Sequence, residues 1–143
     1  MQGRFLTTTL GHGLDAITAS LAHLWMPWAG KTFDAGAKEG RNILTAGFRV
    51  VEKTLWPGNA PDEPLRGRRY ETLPFTTWEG PSAFTPGAED VLKIDYGHPG
   101  SPWLVRDVLD ELVRIDDQLH LGQALLRFRG RLHRVAWFEL RRP

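Results

Sequence analysis

Two short stretches bring together the residue types that could do chemistry in this chain. Trp28-Ala-Gly-Lys31-Thr-Phe33 sets an ammonium between two large rings, and Lys93-Ile-Asp95 sets opposite charges two residues apart. The first would form a pocket floor: Trp28 and Phe33 supply contact area and Lys31 pairs a ligand anion. A lysine taken into an interior needs a partner, and Asp34 or Glu139 would serve. On a strand, residues i and i+2 share a face, so Lys93 and Asp95 act together. Facing inward, they form an ion pair that orients a carbonyl or carboxylate; facing outward, they are a solvated pair.

Proton carriers would come from Asp95, Glu111 and His98. A carboxyl enclosed by Trp and Leu gains the raised pKa that proton transfer requires. Asp110 and Glu111 are neighbours on a strand, so they point to opposite sides and only one can look inward. His98, in Gly97-His98-Pro99-Gly100, would sit on a loop at a pocket mouth. No two of the five histidines have the spacing of a helical metal site, so no metal is expected. The chain lacks the glycine-rich and nucleophile-elbow patterns of dinucleotide, phosphate and acyl-transfer sites, and no cofactor is expected.

The stretch 119–141, LHLGQALLRFRGRLHRVAWFELR, adds a further set. Two apolar arms flank Arg129-Gly130-Arg131, yet Gln123, Arg127, Arg134 and Glu139 lie inside them. Such a hairpin forms a wall with two working faces, and Gln123, Trp137 and Glu139 join the ligand-binding candidates on the face that lines a pocket. A turn centred on Gly130 pairs His120 with Leu140 and His133 with Arg127.

These residues must be held by elements that the hydrophobic periods reveal. Leu14, Ile17, Leu21, Leu24 and Trp25 recur at helical spacing, and Pro27 ends the helix after Met26. A second helix is predicted over 41–55, with a strand pair from Ile43 to Leu55 as the other reading, because Gly47 weakens a helix interior. The period then changes to two. Strands are predicted over 70–79, 91–96, 108–115, 119–128 and 132–141, with Pro74 marking an edge or a bulge. Both faces of these strands mix apolar and charged residues, as in a sheet that curls around a partly polar cavity. The expected fold is α+β: two N-terminal helices (about 10–56) packed on or capping a curled, lipocalin-like antiparallel meander or small barrel (about 70–142), in one domain over 1–143.

Composition bounds the function. With 18 basic and 17 acidic side chains the formal net charge is +1, too balanced for a nucleic-acid binder. Without cysteine there is no disulfide or thiol chemistry. The N-terminus makes a poor signal peptide and no apolar run reaches the ~18 residues of a membrane span, so a cytoplasmic location is expected. The 14–26 helix, ending Leu24-Trp25-Met26-Pro27-Trp28, could also serve a homodimer interface.

Trp28-Ala-Gly-Lys-Thr-Phe33-Asp34, the run Asp110 to Gly122 and the closing Trp137-Phe-Glu-Leu140 together resemble a group of small bacterial proteins, the Gly-x-Trp-x-Gly domain family, whose function is unknown. The resemblance covers the two ends of the chain; Leu10-Gly-His-Gly-Leu14 stands where the naming motif would be. It implies a barrel-like fold and no particular reaction. The function expected is a binding protein for a mostly apolar or lipid-like ligand, whose acidic or polar head meets Lys31, Lys93 or Arg106. The alternative is a cofactor-independent isomerase, cyclase or lyase in the same cavity.

Overall fold

The computed structural model describes residues 1–7, 28–45, 64–65, 69–99 and 101–142. Among the described residues nine strands follow in order: β1 (Gln2–Thr7), β2 (Trp28–Asp34), β3 (Glu39–Thr45), β4 (Pro64–Leu65), β5 (Arg69–Pro81), β6 (Asp90–Asp95), β7 (Val108–Arg114), β8 (Leu119–Phe128) and β9 (Arg131–Arg141). One helical turn, α1 (Trp103–Arg106), precedes β7. Every pairing is antiparallel, β9 returns to β1, and β3 pairs β5. Eight strands therefore close a barrel, with β4 a two-residue appendage on β5.

Closure depends on β5 changing partners. Its first half, from Arg69 to Thr76, pairs β3, and its second half, from Thr76 to Pro81, pairs β6. Thr72 opposes Asn42 while Pro74 opposes Arg41, so Leu73 is the extra residue of a bulge and takes a φ of 51°. Such a bulge bends a strand and lets a sheet turn a corner. Pro74, which cannot donate to a ladder, stands beside it, as the sequence predicts. A second extra residue, Val135, displaces the register of β9, so His133 opposes Leu126 and not Arg127; His120 does oppose Leu140.

The five predicted strands all form. The helical half is corrected where it is described: residues 41–45 belong to β3, and Trp28 to Asp34, within the span expected to be helical, form β2. The 14–26 helix lies outside the described residues, as does 46–55. Arg41 to Leu44 alternate outward and inward, with Asn42 and Leu44 buried, and burial on alternate positions decides for a strand. None of the described helices is long and apolar enough to cross a membrane.

Rings fill the barrel where glycines leave space. Phe138 lies across Gly122, Phe75 across Gly40 and Trp28 across Gly3, each so close that a Cβ on the glycine would enter the ring. Around them Leu44, Ile94, Leu126, Ala136 and Leu140 complete an almost fully buried core. Gly122→Ala is therefore expected to cost about 1–3 kcal/mol of stability in urea denaturation, as overpacked cores do. Adding Phe138→Leu to it should recover part of the loss.

Candidate functional site

The alternation of β7 sends Val108, Asp110 and Leu112 inward and Glu111 outward, and that of β6 sends Leu92, Ile94 and Tyr96 inward. With Lys31 on β2 and Asn42 on β3, two of these side chains meet at the barrel centre. Lys31 Nζ lies 3.0 Å from Asp110 Oδ2 and 2.9 Å from Asn42 Oδ1, and it also donates to the Tyr96 hydroxyl. Tyr96 donates its own hydroxyl hydrogen bond to Asp110 Oδ2 at 2.7 Å. Asn42 is fixed in turn: its Oδ1 accepts Trp28 Nε1–H at 3.0 Å and its Nδ2 donates to the Leu73 carbonyl in the bulge at 3.2 Å. Four rings surround the ammonium, with centroids at 5.0 Å (Tyr96), 5.3 Å (Phe75), 5.4 Å (Trp28) and 5.6 Å (Phe138). Cations are attracted to ring faces at such range.

Burial lowers the Lys31 pKa, and the Asp110 charge and hydrogen bond oppose that shift. Tyr96 is pushed well above its ordinary value, first by burial and then by the Asp110 charge and hydrogen bond. The folded protein thus keeps the Tyr96 proton at a pH where the unfolded chain, near 10, gives it up. Stability falls as pH rises through that window. A pH 9 to 11 denaturation series should show the parent losing more stability than Tyr96→Phe; Lys31, whose shift acts in the opposite sense, is present in both proteins.

All three ammonium donors are engaged, and the cavity beside the cluster measures about 30 Å³. That is water-sized. Among the described residues the interior is a polar plug within an aromatic cage, and the space left beside it is water-sized.

A second recess, of about 750 Å³, opens at the barrel end that carries the β2–β3, β5–β6 and β7–β8 connections. Phe33, Leu92 and Leu112 form its apolar wall, and Lys38, His120 and Arg142 stand at its edge. Two of the connecting turns are pinned by aspartates. Asp34 Oδ1 accepts the Gly36 and Ala37 N–H groups, and Asp116 Oδ1 accepts those of Gln118 and Leu119. These bonds hold the Asp116 carboxyl below its usual range. Burial and the nearby Arg142 and Arg114 lower the His120 pKa, so the ring is neutral near pH 7.

Of the candidates read from the sequence, Trp28 and Lys31 join the plug and Phe33 the mouth, packing edge-to-face on Phe75 at 5.5 Å. The partner of Lys31 is Asp110, not Asp34 or Glu139. Asp34 is turned into its hairpin, and Glu139, facing outward, meets Arg141 on its own strand at 3.3 Å. Lys93, Glu111, Gln123 and Trp137 do come together, in one row that continues to Trp78. That row lies on the outside of the barrel.

The chain's own β5–β6 loop covers the middle of the row. Glu111 is buried there, accepting Ser82 Oγ at 2.7 Å, the Ala83 N–H at 2.6 Å and Gln123 Nε2 at 2.9 Å. Arg134 is held between the Phe84 and Trp137 rings, at 5.0 and 4.7 Å. One face of the hairpin packs in the core, and the polar one clasps a loop in place of lining a pocket. Asp95 also faces outward and caps the Gly97 N–H at 2.9 Å. His98 is exposed, and Arg106 donates to the Ser101 and Pro99 carbonyls; both lie at the end opposite the recess. Asp95, Glu111 and His98 therefore share no pocket.

Asn42, Tyr96, Asp110, Lys38, His120 and Arg142 belong to the plug and the mouth but not to the candidate set read from the sequence. The signal for two of them was present: Tyr96 alternates with Leu92 and Ile94, and Asp110 with Val108 and Leu112. No group of three His, Asp or Glu able to hold a metal occurs among the described residues. The chain matches no family model, no curated protein and no solved structure, so the site is read from its own geometry.

Proposed function

We propose that this barrel binds a small, mostly apolar molecule with an acidic or polar head, and that the ligand sits in the open mouth and not at the barrel centre. The recess of about 750 Å³ carries this reading. It falls in the size range of small-molecule sites and combines an apolar wall with a few polar groups at the rim. Phe33, Leu92 and Leu112 supply the burial, and Lys38 and Arg142 attract the anionic end. The Lys31–Asp110 pair serves the fold, holding the wall in shape from below.

The test is titration with 1-anilinonaphthalene-8-sulfonate, an aromatic anion of fitting size. Saturable binding at one site in the recess is expected. Leu112→Asp should abolish it by placing a like charge in the apolar wall. Unsaturable binding, or binding indifferent to Leu112→Asp in a folded protein, would sink the proposal.

A further inference from the structure

We infer that the ligand of this mouth is a broad, short, fused-ring anion and not an extended chain. The inference rests on the mouth-binding reading and concerns how deep the recess runs. Inward-facing residues come in layers. Phe33, Thr77, Leu92, Leu112 and His120 form the outermost layer, which the recess reaches. Two residues further along the same strands stand Lys31, Phe75, Ile94 and Asp110, with Phe138 lying over Gly122. Two residues of strand span about 7 Å.

That second layer is closed. Ile94 is 0% exposed, Phe75 and Phe138 2%, Lys31 3% and Asp110 4%, and the cavity beside it among the described residues is water-sized, about 30 Å³. A chain entering end-on meets the caged ammonium after one layer. The recess of about 750 Å³ enters the barrel by one layer only, and the rest of its volume opens among the end connections, where Glu79, two residues beyond Thr77, also lines it. Fused rings present their apolar area sideways and fill such a cup; a straight chain fills a corner of it and leaves its tail in water.

The rim charges are placed for this shape. Arg142, beside His120, stands on the β8–β9 side, and Lys38 belongs to the β2–β3 hairpin. In the strand order β3-β2-β1-β9-β8, that hairpin lies across the barrel from β8. The Asp34 carboxylate of the same hairpin is occupied by the Gly36 and Ala37 N–H groups, and Glu79 lines the recess from β5. An anionic group on one edge of a flat molecule meets Arg142 while the opposite edge reaches Lys38.

Calorimetric titration of the full chain with deoxycholate, octanoate and dodecanoate, each below its micellar concentration, tests this. Deoxycholate should bind at least about tenfold tighter than dodecanoate, and dodecanoate within about fivefold of octanoate, since the extra methylenes stay in water. Arg142→Glu, a change at an exposed position, should weaken deoxycholate by roughly fivefold or more. A tunnel would instead reward four more methylenes by roughly 200-fold. That gain, or an Arg142→Glu protein with unchanged deoxycholate affinity, overturns the inference while leaving mouth binding intact. No binding by any of the three overturns mouth binding itself, and the inference with it.

Discussion

Asp110→Ala should unfold about 3–5 kcal/mol more easily than the parent, the cost of leaving one member of a buried ion pair without the other. Lys31 is 3% exposed, and its ammonium has only Asn42, Tyr96 and ring faces once the carboxylate is gone. The Tyr96 hydroxyl loses its acceptor in the same step. The loss should shrink in Lys31→Met/Asp110→Leu, where neither charge is buried and the four rings pack on a thioether. A double-mutant cycle in urea isolates the coupling. If Asp110→Ala costs less than about 1 kcal/mol, the pair does not hold the barrel. If the double variant is as unstable as the single one, the loss comes from packing and not from the stranded charge.

How far the site could be read from the sequence follows from the same residues. Alternation in VLKIDY and VLDELVR separates the two faces correctly, because a strand's period is two whatever the strand packs on. Alternation does not say which of two mixed faces is the inside. Glu111, Gln123 and Trp137 share a face as the period requires, yet that face is the outer wall, made dry by a loop that folds back from Pro81. Polarity misleads here, since a carboxylate buried under a loop and one buried in a pocket look alike in a sequence.

Over 41–45 the helical reading misled for a related reason. Leu44, Phe48, Val51 and Leu55 satisfy a helical stripe, but Leu44 and Asn42 also satisfy a strand facing a barrel interior, and pairing with β2 and β5 selects the latter. Short apolar patterns carry both periods at once. Lys31 was legible as a lysine that must be buried with a partner. The identity of that partner was not, because Asp110 lies 79 residues away and reaches Lys31 across the barrel from β7.

The outer clasp yields the second large effect. Glu111→Ala should destabilise the protein by about 2–4 kcal/mol, because it strands three buried or half-buried donors around one vacated acceptor. Glu111→Gln should lose nearly as much: its carboxamide keeps one acceptor oxygen but turns an NH2 toward donors. The damage should also be local. Ser82 and Ala83 fasten the loop directly, and Phe84 covers Arg134 from the same loop, so limited proteolysis should find new cleavage between 82 and 89 before the barrel unfolds. Arg134→Lys provides the control. It keeps the charge but loses the flat guanidinium between two rings, so it should loosen the loop with a smaller cost in stability. Full stability in Glu111→Ala, with 82–89 still protected, would mean that the loop is held by its rings alone and that the carboxylate beneath it is free for another role.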